Sequence, residues 1–244
     1  MVIKRMHRAF DVSPPARLSR GSATMSPSST RLGSAPCVAV FGGCGGAGAS
    51  TLAAGLARSA LHSGRAVVLV DGDPLGGGLE SILADDLSSG RHRSEQQGVS
   101  GLSLLTCGRP DGTPIPPESM GHALTTMAPE AELVIVDLPR TLGDSTRLAA
   151  AYATHSLLIA PVAERALVSA HRLLAQLGSL GPRPGLVARL PCRDLLSPQR
   201  LAELLRLPLS GVLKAGRDKS APHRASLDRF CGRFVDSLFG LVTA

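Results

Sequence analysis

Short apolar runs rich in β-branched residues alternate with Ala/Leu-rich stretches throughout the chain after its first 35 residues. The runs that predict strands are 36–41, 66–71, 101–106, 132–137, 154–160, 185–189 and, with weaker character, 208–213. The segments that predict helices are 50–63, 117–127, 144–152, 163–177 and 197–206. Uniformly apolar strands separated by helices are typical of a parallel sheet that is covered on both faces. The sequence therefore predicts an α/β fold with a doubly wound, mostly parallel sheet.

The first 35 residues differ in composition from the remainder. Residues 11–35 are rich in Ser, Pro and Arg and lack an apolar period, so we expect 1–35 to be a disordered basic leader. A translation start at Met25 would remove most of it. Residues 36–244 are long enough for one α/β domain with a full core. Within that domain, the polar segment 86–100 predicts a mobile loop.

The positive charge is concentrated at the two ends of the chain. The formal net charge is +7, but residues 1–35 contain six Lys and Arg against one Asp, and residues 212–244 contain six basic and three acidic groups. The domain between them is close to neutral. This distribution argues against specific nucleic-acid binding by the folded domain. An apolar content of 43% also excludes a wholly disordered chain.

The cysteines and the hydropathy pattern predict a cytoplasmic protein. The five cysteines are scattered and form no CxxC pair, which argues against both a disulfide framework and a zinc site. No apolar run reaches the roughly 18 residues that a membrane-spanning helix needs. The leader also lacks the apolar region of a secretory signal.

Residues 227–242 predict an amphipathic C-terminal helix. Apolar residues recur at helical spacing along one face, which carries three of the five phenylalanines of the chain. Such a face beside arginines can lie in a membrane interface, giving peripheral contact with the inner face of the membrane. A terminal helix that covers the edge of an α/β sheet shows the same stripe, and core packing is the more common reason for it.

A glycine-rich segment follows the first predicted strand of the domain. Its sequence is GGCGGAGAST over residues 42–51, and an Ala/Leu helix comes next. Phosphate-binding loops of the type GxxxxGK[ST] need glycines so that backbone N–H groups can surround phosphate oxygens at a helix N-terminus. Gly43 and Gly48 have the spacing of that motif, Ser50 stands where a hydroxyl ligates Mg²⁺, and Ala49 takes the lysine position.

Two aspartate-containing segments follow other predicted strands. Asp71-Gly72-Asp73-Pro74 comes after 66–71, and Asp137-Leu138-Pro139-Arg140 comes after 132–137. In a parallel sheet both segments emerge at the carboxyl edge, beside the glycine-rich loop. Aspartates there can hold Mg²⁺ or orient an attacking water, although an isolated aspartate at such a position often only caps a helix or starts a turn.

The motifs GCGGAGAST, VLVDGDPLGGGLE and VIVDLPR resemble those of the MinD/ParA group of P-loop ATPases, whose deviant Walker A motif reads GKGGxGK[ST]T. The stretches GGAGASTLAAGLA, VDGDPLGGGLE, VDLPR and LRLPLSGVL are most similar to the CpaE-like, septum-site-determining (Ssd) branch, found beside secretion and pilus genes. The resemblance covers about residues 36–244. Members of this branch commonly carry an additional receiver-like N-terminal domain, and we expect none within the 244 residues of this sequence.

The resemblance implies specific site residues. The nucleotide-binding segment would be Gly43, Cys44, Gly45, Gly46, Ala47, Gly48, Ala49, Ser50 and Thr51. Ser50, Asp73 and Asp137 would hold Mg²⁺. Asp73 would be the switch-I aspartate and Asp137 the Walker B aspartate, and these two would arrange the water for hydrolysis of ATP.

The sequence departs from the family at its positive charges. The signature lysine, which reaches a partner's nucleotide across a dimer, corresponds to Cys44, and the ordinary P-loop lysine corresponds to Ala49. The asparagine that often reads adenine corresponds to Arg189. Backbone N–H bonds to a charged acceptor contribute about 1.5–3 kcal/mol each, so we expect weak ATP binding to survive. We expect hydrolysis to be weak or absent, because phosphoryl transfer needs positive groups placed against developing charge. Arg140 either supplies part of that charge or, as is more common for an arginine in a turn, pairs with a surface carboxylate.

The resemblance also implies a role and partners. It implies a spatial regulator of septum-site selection or of pilus or secretion-machine assembly, with protein partners in that apparatus and a nucleotide-dependent homodimer. Two alternatives stay open: a scaffold of pseudo-ATPase type that binds no nucleotide, and an active ParA-like ATPase that partitions DNA or cargo.

Overall fold

The computed structural model describes residues 2–5, 35–73, 79–88, 101–106, 113, 115–127, 131–190, 196–214 and 221–240. The strands are β1 (Val2–Arg5), β2 (Cys37–Gly42), β3 (Val67–Asp71), β4 (Leu102–Thr106), β5 (Leu133–Leu138), β6 (His155–Pro161), β7 (Gly185–Arg189) and β8 (Leu209–Leu213). The helices are α1 (Ala49–His62), α2 (Leu79–Ser88), α3 (Pro117–His122), α4 (Asp144–Tyr152), α5 (Glu164–Leu177), α6 (Pro198–Leu205) and α7 (Ala221–Leu238).

The strands form one sheet in the order β1-β4-β3-β5-β2-β6-β7-β8. Every neighbouring pair is parallel. The chain moves from β2 first toward β3 and β4 and later toward β6, β7 and β8, so β2 lies where the winding direction changes. Open α/β sheets bind ligands at the carboxyl ends of the strands beside such a point. The predicted doubly wound α/β fold is confirmed.

Helices cover both faces of the sheet. Successive residues of β2 point to opposite faces: Val38 and Val40 belong to one apolar cluster, while Ala39 and Phe41 belong to another. The first cluster is completed by residues of α1, α2 and α7, and the second by residues of α3, α4, α5 and α6. Because its two faces are both buried, β2 needs an apolar side chain at nearly every position. This explains why its sequence is a continuous apolar run.

The C-terminal helix α7 packs its apolar face against α1 and β8. Leu227, Phe230, Cys231 and Val235 are buried in the same cluster as the core of α1. Of the two interpretations of this face, core packing is the one observed for the described part of the helix. Within the described residues, no helix combines the length and hydropathy needed to cross a membrane.

The boundaries of two other predicted helices differ from those observed. The C-terminal helix begins at Ala221 and ends at Leu238, whereas 227–242 was expected, and residues 241–244 lie outside the described part. The segment 117–127 divides into α3 and a π-helical turn, Ala123–Met127. Thr125 Oγ1 donates to the carbonyl of Gly121 at 2.8 Å, a side-chain bond of the kind that competes with regular helical pairing.

The expectation of a leader without structure is wrong for Val2–Arg5. These residues form the edge strand β1 and pair with β4 from Ser103 to Thr106. An edge strand of this kind is held by backbone pairing to its neighbour, which a local composition rule does not detect. Residues 6–34, including Met25, lie outside the described residues. Of the expected loop 86–100, residues 86–88 end helix α2, and residues 89–100 are not described.

Candidate phosphate site

The glycine-rich loop connects the central strand β2 to helix α1. It leaves the sheet between the carboxyl ends of β5 and β6, the two neighbours of β2. The backbone N–H of Gly43 donates to the carbonyl of Ile159 on β6 at 2.8 Å. A Cβ at Gly43 would lie 2.9 Å from the Cβ of Ala160, so only glycine fits without displacing β6. The base of the loop is therefore fixed to the sheet.

Two glycines of the loop adopt left-handed backbone conformations. Gly46 has φ 67° and Gly48 has φ 101°, and side chains other than glycine rarely occupy this region. Gly48 is the N-cap of α1, and no side chain caps the helix there. The N–H groups of the first turn of a helix attract anions because they lack intrahelical acceptors. The loop thus presents the backbone geometry of a phosphate site.

The two residues at the lysine positions turn toward the protein. Cys44 and Ala49 are partly buried and pack against the apolar cluster that contains α1. Neither contributes positive charge. An anion placed at the loop would interact with its backbone and with charges from other parts of the chain.

Ser50 and Asp137 are in direct contact at the start of α1. The Ser50 side chain forms a hydrogen bond with the Asp137 carboxylate, which is 2% exposed at the end of β5. The hydroxyl and carboxylate that the sequence assigns to Mg²⁺ therefore meet in space. Burial is the main reason that the pKa of Asp137 is raised to about 6, with the charge of Asp73 adding to the shift.

Asp71 is a third acidic residue of the site; it lies in the predicted aspartate segment, but the family resemblance assigns a role there to Asp73 alone. It is 5% exposed and lies opposite Asp137 in the register of β3 and β5. Burial raises its pKa to about 7, and the neighbouring charge of Asp137 contributes. The signal in the sequence is its position as the last residue of an apolar strand, which buries it.

Asp73 lies two residues further on and is less buried. Its backbone N–H donates to Asp71 Oδ1 at 3.3 Å. Between them, the N–H of Gly72 donates to the carbonyl of Asp137 at 2.9 Å, and a Cβ at Gly72 would lie 2.7 Å from that oxygen. The absence of a side chain at Gly72 allows the β3 and β5 turns to meet.

Two arginines from distant segments lie on the loop. Arg189, at the end of β7, donates through Nη1 to the carbonyls of Gly46 and Ala47, both at 3.2 Å. Arg140, in the turn after β5, lies beside Gly45, where a Cβ would be 3.7 Å from Nη2. Across the described residues Arg140 forms no ion pair, so the pairing with a surface carboxylate that the sequence left open is not observed among them.

The electrostatics at Cys44 reflect these arginines. Burial raises the pKa of the Cys44 thiol, and the charges of Arg140, Arg189 and Arg165 oppose that shift in decreasing order. All three guanidinium groups therefore act electrostatically at the position of the signature lysine.

The donor set fits Mg²⁺ that arrives with a phosphate ligand. In the part of the chain that is described, no group of three or more His, Cys, Asp and Glu side chains is arranged to hold a metal by itself. Mg²⁺ commonly binds through one or two carboxylates and completes its shell with phosphate oxygens and water. Ser50, Asp137 and Asp73 supply oxygen ligands of that kind beside the loop.

Solved structures of three other proteins share this architecture. The septum-site-determining protein MinD with Mg-ADP from Pyrococcus horikoshii OT3 superposes with a TM-score of 0.67 at 17% identity, over 85% of this chain and 98% of that one. MinD in the MinC:MinD complex of Aquifex aeolicus gives 0.64 at 17% identity, over 86% and 98%. A ParA-family ATPase from Chlorobium tepidum TLS gives 0.60 at 15% identity, over 85% and 99%.

Curated relatives match over a shorter part of their own length. An uncharacterized protein of Mycobacterium tuberculosis, found in strains CDC 1551 / Oshkosh and ATCC 25618 / H37Rv, is 31% identical over 73% of this chain. The chain spans 54% of the length of these relatives. No protein-family model matches the chain. The sheet order, the loop and the structural neighbours together show that this chain has the fold of the MinD/ParA-type P-loop ATPases.

Proposed function

We propose that this protein binds a magnesium nucleotide in the manner of MinD and ParA proteins and acts as a spatial regulator. The observation that carries the proposal is the contact between Ser50 and Asp137 beside the loop of Gly43–Gly48. A purely structural turn has no need of a buried carboxylate aimed at the first turn of the following helix. The contact between Ser50 and Asp137 is explained if a cation binds to both side chains beside a phosphate chain.

In this proposal the loop backbone from Gly43 to Thr51 binds the phosphates of ATP or ADP. Ser50 and Asp137 hold Mg²⁺, and Asp73 binds it or orients a water beside it. When bound, the ion neutralises phosphate charge. The MinD of Pyrococcus horikoshii, which shares the fold, was solved with Mg-ADP.

Hydrolysis is expected to be slow. The transition state of phosphoryl transfer is stabilised mainly by positioned positive charge. Cys44 and Ala49 supply none. We therefore expect a protein that responds to nucleotide occupancy rather than to rapid turnover.

The proposed role is control of division-site selection or of pilus or secretion-machine assembly, in the manner of the CpaE-like branch. Nucleotide binding would favour a homodimer that presents a surface to protein partners. MinD of Aquifex aeolicus was solved in complex with MinC, which supports a protein partner of this kind. A fluorescent fusion in the native cell tests the role: we expect a focus at the septum or a pole that depends on Asp137, and uniform fluorescence would contradict it.

A second candidate is a scaffold that binds no nucleotide. It is favoured by the packing of Cys44 and Ala49 against the core, which removes both lysine positions from the phosphate side. The two candidates make different predictions for nucleotide binding.

Calorimetric titration with Mg-ATP and Mg-ADP separates them. We expect measurable binding with dissociation constants higher than those of lysine-bearing relatives. The Asp137→Ala variant should lose most of the heat of nucleotide binding. The matched control is Asp144→Ala, which removes an exposed carboxylate from the first turn of α4. If no binding is detected at millimolar nucleotide, the scaffold that binds no nucleotide is the remaining candidate. Phosphate release as fast as in lysine-bearing relatives would contradict the expectation of slow hydrolysis.

A further inference from the structure

The positive charge at the phosphate loop comes from other parts of the chain. The residues at the two lysine positions are neutral, yet guanidinium groups from the turn after β5 and from the end of β7 reach the loop. The acidic side of the site contains Asp71, Asp73 and Asp137. Without a nearby cation, a phosphate chain placed there would meet net negative charge.

Arg189 acts on the shape of the loop. Its two bonds to the carbonyls of Gly46 and Ala47 hold these oxygens on the β7 side. The guanidinium also lies beside Gly48, where a Cβ would be 3.4 Å from Arg189 Nη1. Hydrogen bonds from a charged donor are about twice as strong as those between neutral groups, so this pair of bonds restrains the loop strongly. Arg189 is thus placed to keep the loop in one conformation.

Arg140 is placed differently. It is exposed, its guanidinium lies beside Gly45 at the exposed tip of the loop, and no ion pair holds it within the described residues. A guanidinium with unused donors is suited to binding two phosphate oxygens at once. It comes from the same turn as the Asp137 segment, so the cation and the proposed Mg²⁺ ligand share a short stretch of backbone.

We propose that Arg140 and Arg189 replace the missing lysines of the phosphate site: Arg140 binds phosphate oxygens at the loop tip, and Arg189 is a positioning residue that holds the loop in its binding conformation. The ligand class is a polyphosphate chain, as in a nucleoside di- or triphosphate. This inference rests on the proposed nucleotide binding, and it assigns the charge of that site to residues outside the motif.

The test is calorimetric titration of the full chain with Mg-ADP and, separately, with inorganic tripolyphosphate, which reports phosphate recognition without a base. The variants are Arg140→Ala, Arg140→Lys, Arg189→Ala and Arg189→Lys. The matched control is Arg147→Ala, which removes an exposed arginine from α4. Thermal melting of each variant shows whether it is folded.

We expect Arg140→Ala to weaken the binding of both ligands by about 10- to 100-fold without a change in melting temperature, and Arg140→Lys to restore part of it. Arg189→Ala should weaken binding by about 10-fold while the protein stays folded, with partial rescue by lysine. Arg147→Ala should bind like the wild type. Because a charge interaction with phosphate is screened by salt, the difference between wild type and Arg140→Ala should shrink as salt is added.

The outcomes separate this inference from the proposed function. If the wild type binds neither ligand, the proposed nucleotide binding is wrong and this inference falls with it. If the wild type binds and both alanine variants bind equally well, the arginine assignment is overturned while nucleotide binding stands. If Arg189→Ala does not fold, the titration of Arg140→Ala alone tests the inference, because Arg140 is exposed and its replacement should not affect folding.

Discussion

Asp71 and Asp137 lie opposite each other at the ends of β3 and β5, and both carboxyl groups are almost completely buried. Burial makes each carboxyl harder to ionise; the charge of Asp137 adds to this effect at Asp71, and the charge of Asp73 adds to it at Asp137. Near neutral pH the pair therefore holds part of a proton. A divalent cation bound beside them would displace it, which couples Mg²⁺ binding to proton release.

The stability of the protein should fall as the pH rises toward neutrality. The pKa of Asp71 is raised from 3.8 in the unfolded chain to about 7 in the folded protein. Its contribution is therefore fully favourable below pH 4 and is lost as the pH passes through about 7. Asp71→Asn should leave stability nearly unchanged at pH 4 and increase the free energy of unfolding by about 2–4 kcal/mol at pH 8. Urea unfolding without Mg²⁺ at these pH values measures the difference.

Asp144→Asn is the control for this experiment, because it changes an exposed carboxylate of α4. It should shift stability by the same small amount at both pH values. An Asp71→Asn variant whose difference from the wild type did not grow with pH would show that Asp71 is an ordinary ionised carboxylate.

Replacing Gly72 with alanine should destabilise the site. The new Cβ would meet the carbonyl oxygen of Asp137 at 2.7 Å, and a backbone atom cannot move aside as a flexible side chain can. We expect a loss of about 1–3 kcal/mol. Gly121→Ala on α3 is the matched control, since no atom lies within 4 Å of its Cβ position, and it should be neutral or stabilising by up to about 1 kcal/mol. Equal melting temperatures for the two variants would show that a Cβ at position 72 does not collide with the carbonyl of Asp137.

Truncating Phe230 should strongly destabilise the fold. The ring is 4% exposed and fits against Gly211 of β8, where any Cβ would overlap it. Phe230→Ala should cost about 3–5 kcal/mol of unfolding free energy, measured by chemical denaturation. Arg229→Ala, at the exposed neighbouring position, should change it by less than about 0.5 kcal/mol. A small loss for Phe230→Ala would mean that α7 is not part of the core.

Alkylation of Cys44 should report occupancy of the loop. Its thiol is partly accessible, and burial raises its pKa, so iodoacetamide should react slowly near neutral pH. Saturating Mg-ATP should slow the reaction several-fold more. Peptide mass spectrometry resolves Cys44 from the fully buried Cys231, whose pKa burial also raises and which should stay unlabelled in both conditions. Nucleotide binding without protection of Cys44 would place the ligand elsewhere.

The parts of the fold that are encoded locally could be predicted from the sequence. The strands on both sides of the loop are continuous apolar runs, and the loop glycines are required by its left-handed and crowded positions. Edge strand β1 was missed because its partner β4 holds it through the backbone. Helix α2 was missed although Leu79, Ile82 and Leu83 recur at helical spacing, since its last three residues fall in the segment 86–100 that predicts a loop.

The site was predictable in its motif but not in its charges. Asp73 and Asp137 are positioned by the ends of strands and Ser50 by the first turn of α1, and these boundaries follow from the apolar pattern. The direction of a long arginine side chain depends on which surfaces surround it in the folded protein. The sequence left the role of Arg140 open, and the structure was needed to place Arg140 and Arg189 at a loop that is remote from both in sequence.

The packing of α7 on α1 has a consequence for how this protein is made. Gly55 of α1 lets Cys231 approach closely, and Arg58 pairs with Asp228. Helix α1 begins at the phosphate loop, yet its outer surface is covered by the last described helix of the chain. The loop is synthesised well before the helix that covers α1, because α7 is the last helix in the described order of elements. A nascent chain that stops before α7 contains the whole glycine motif but lacks the helix that packs on α1, so we expect the loop to reach its final geometry only after α7 has been made.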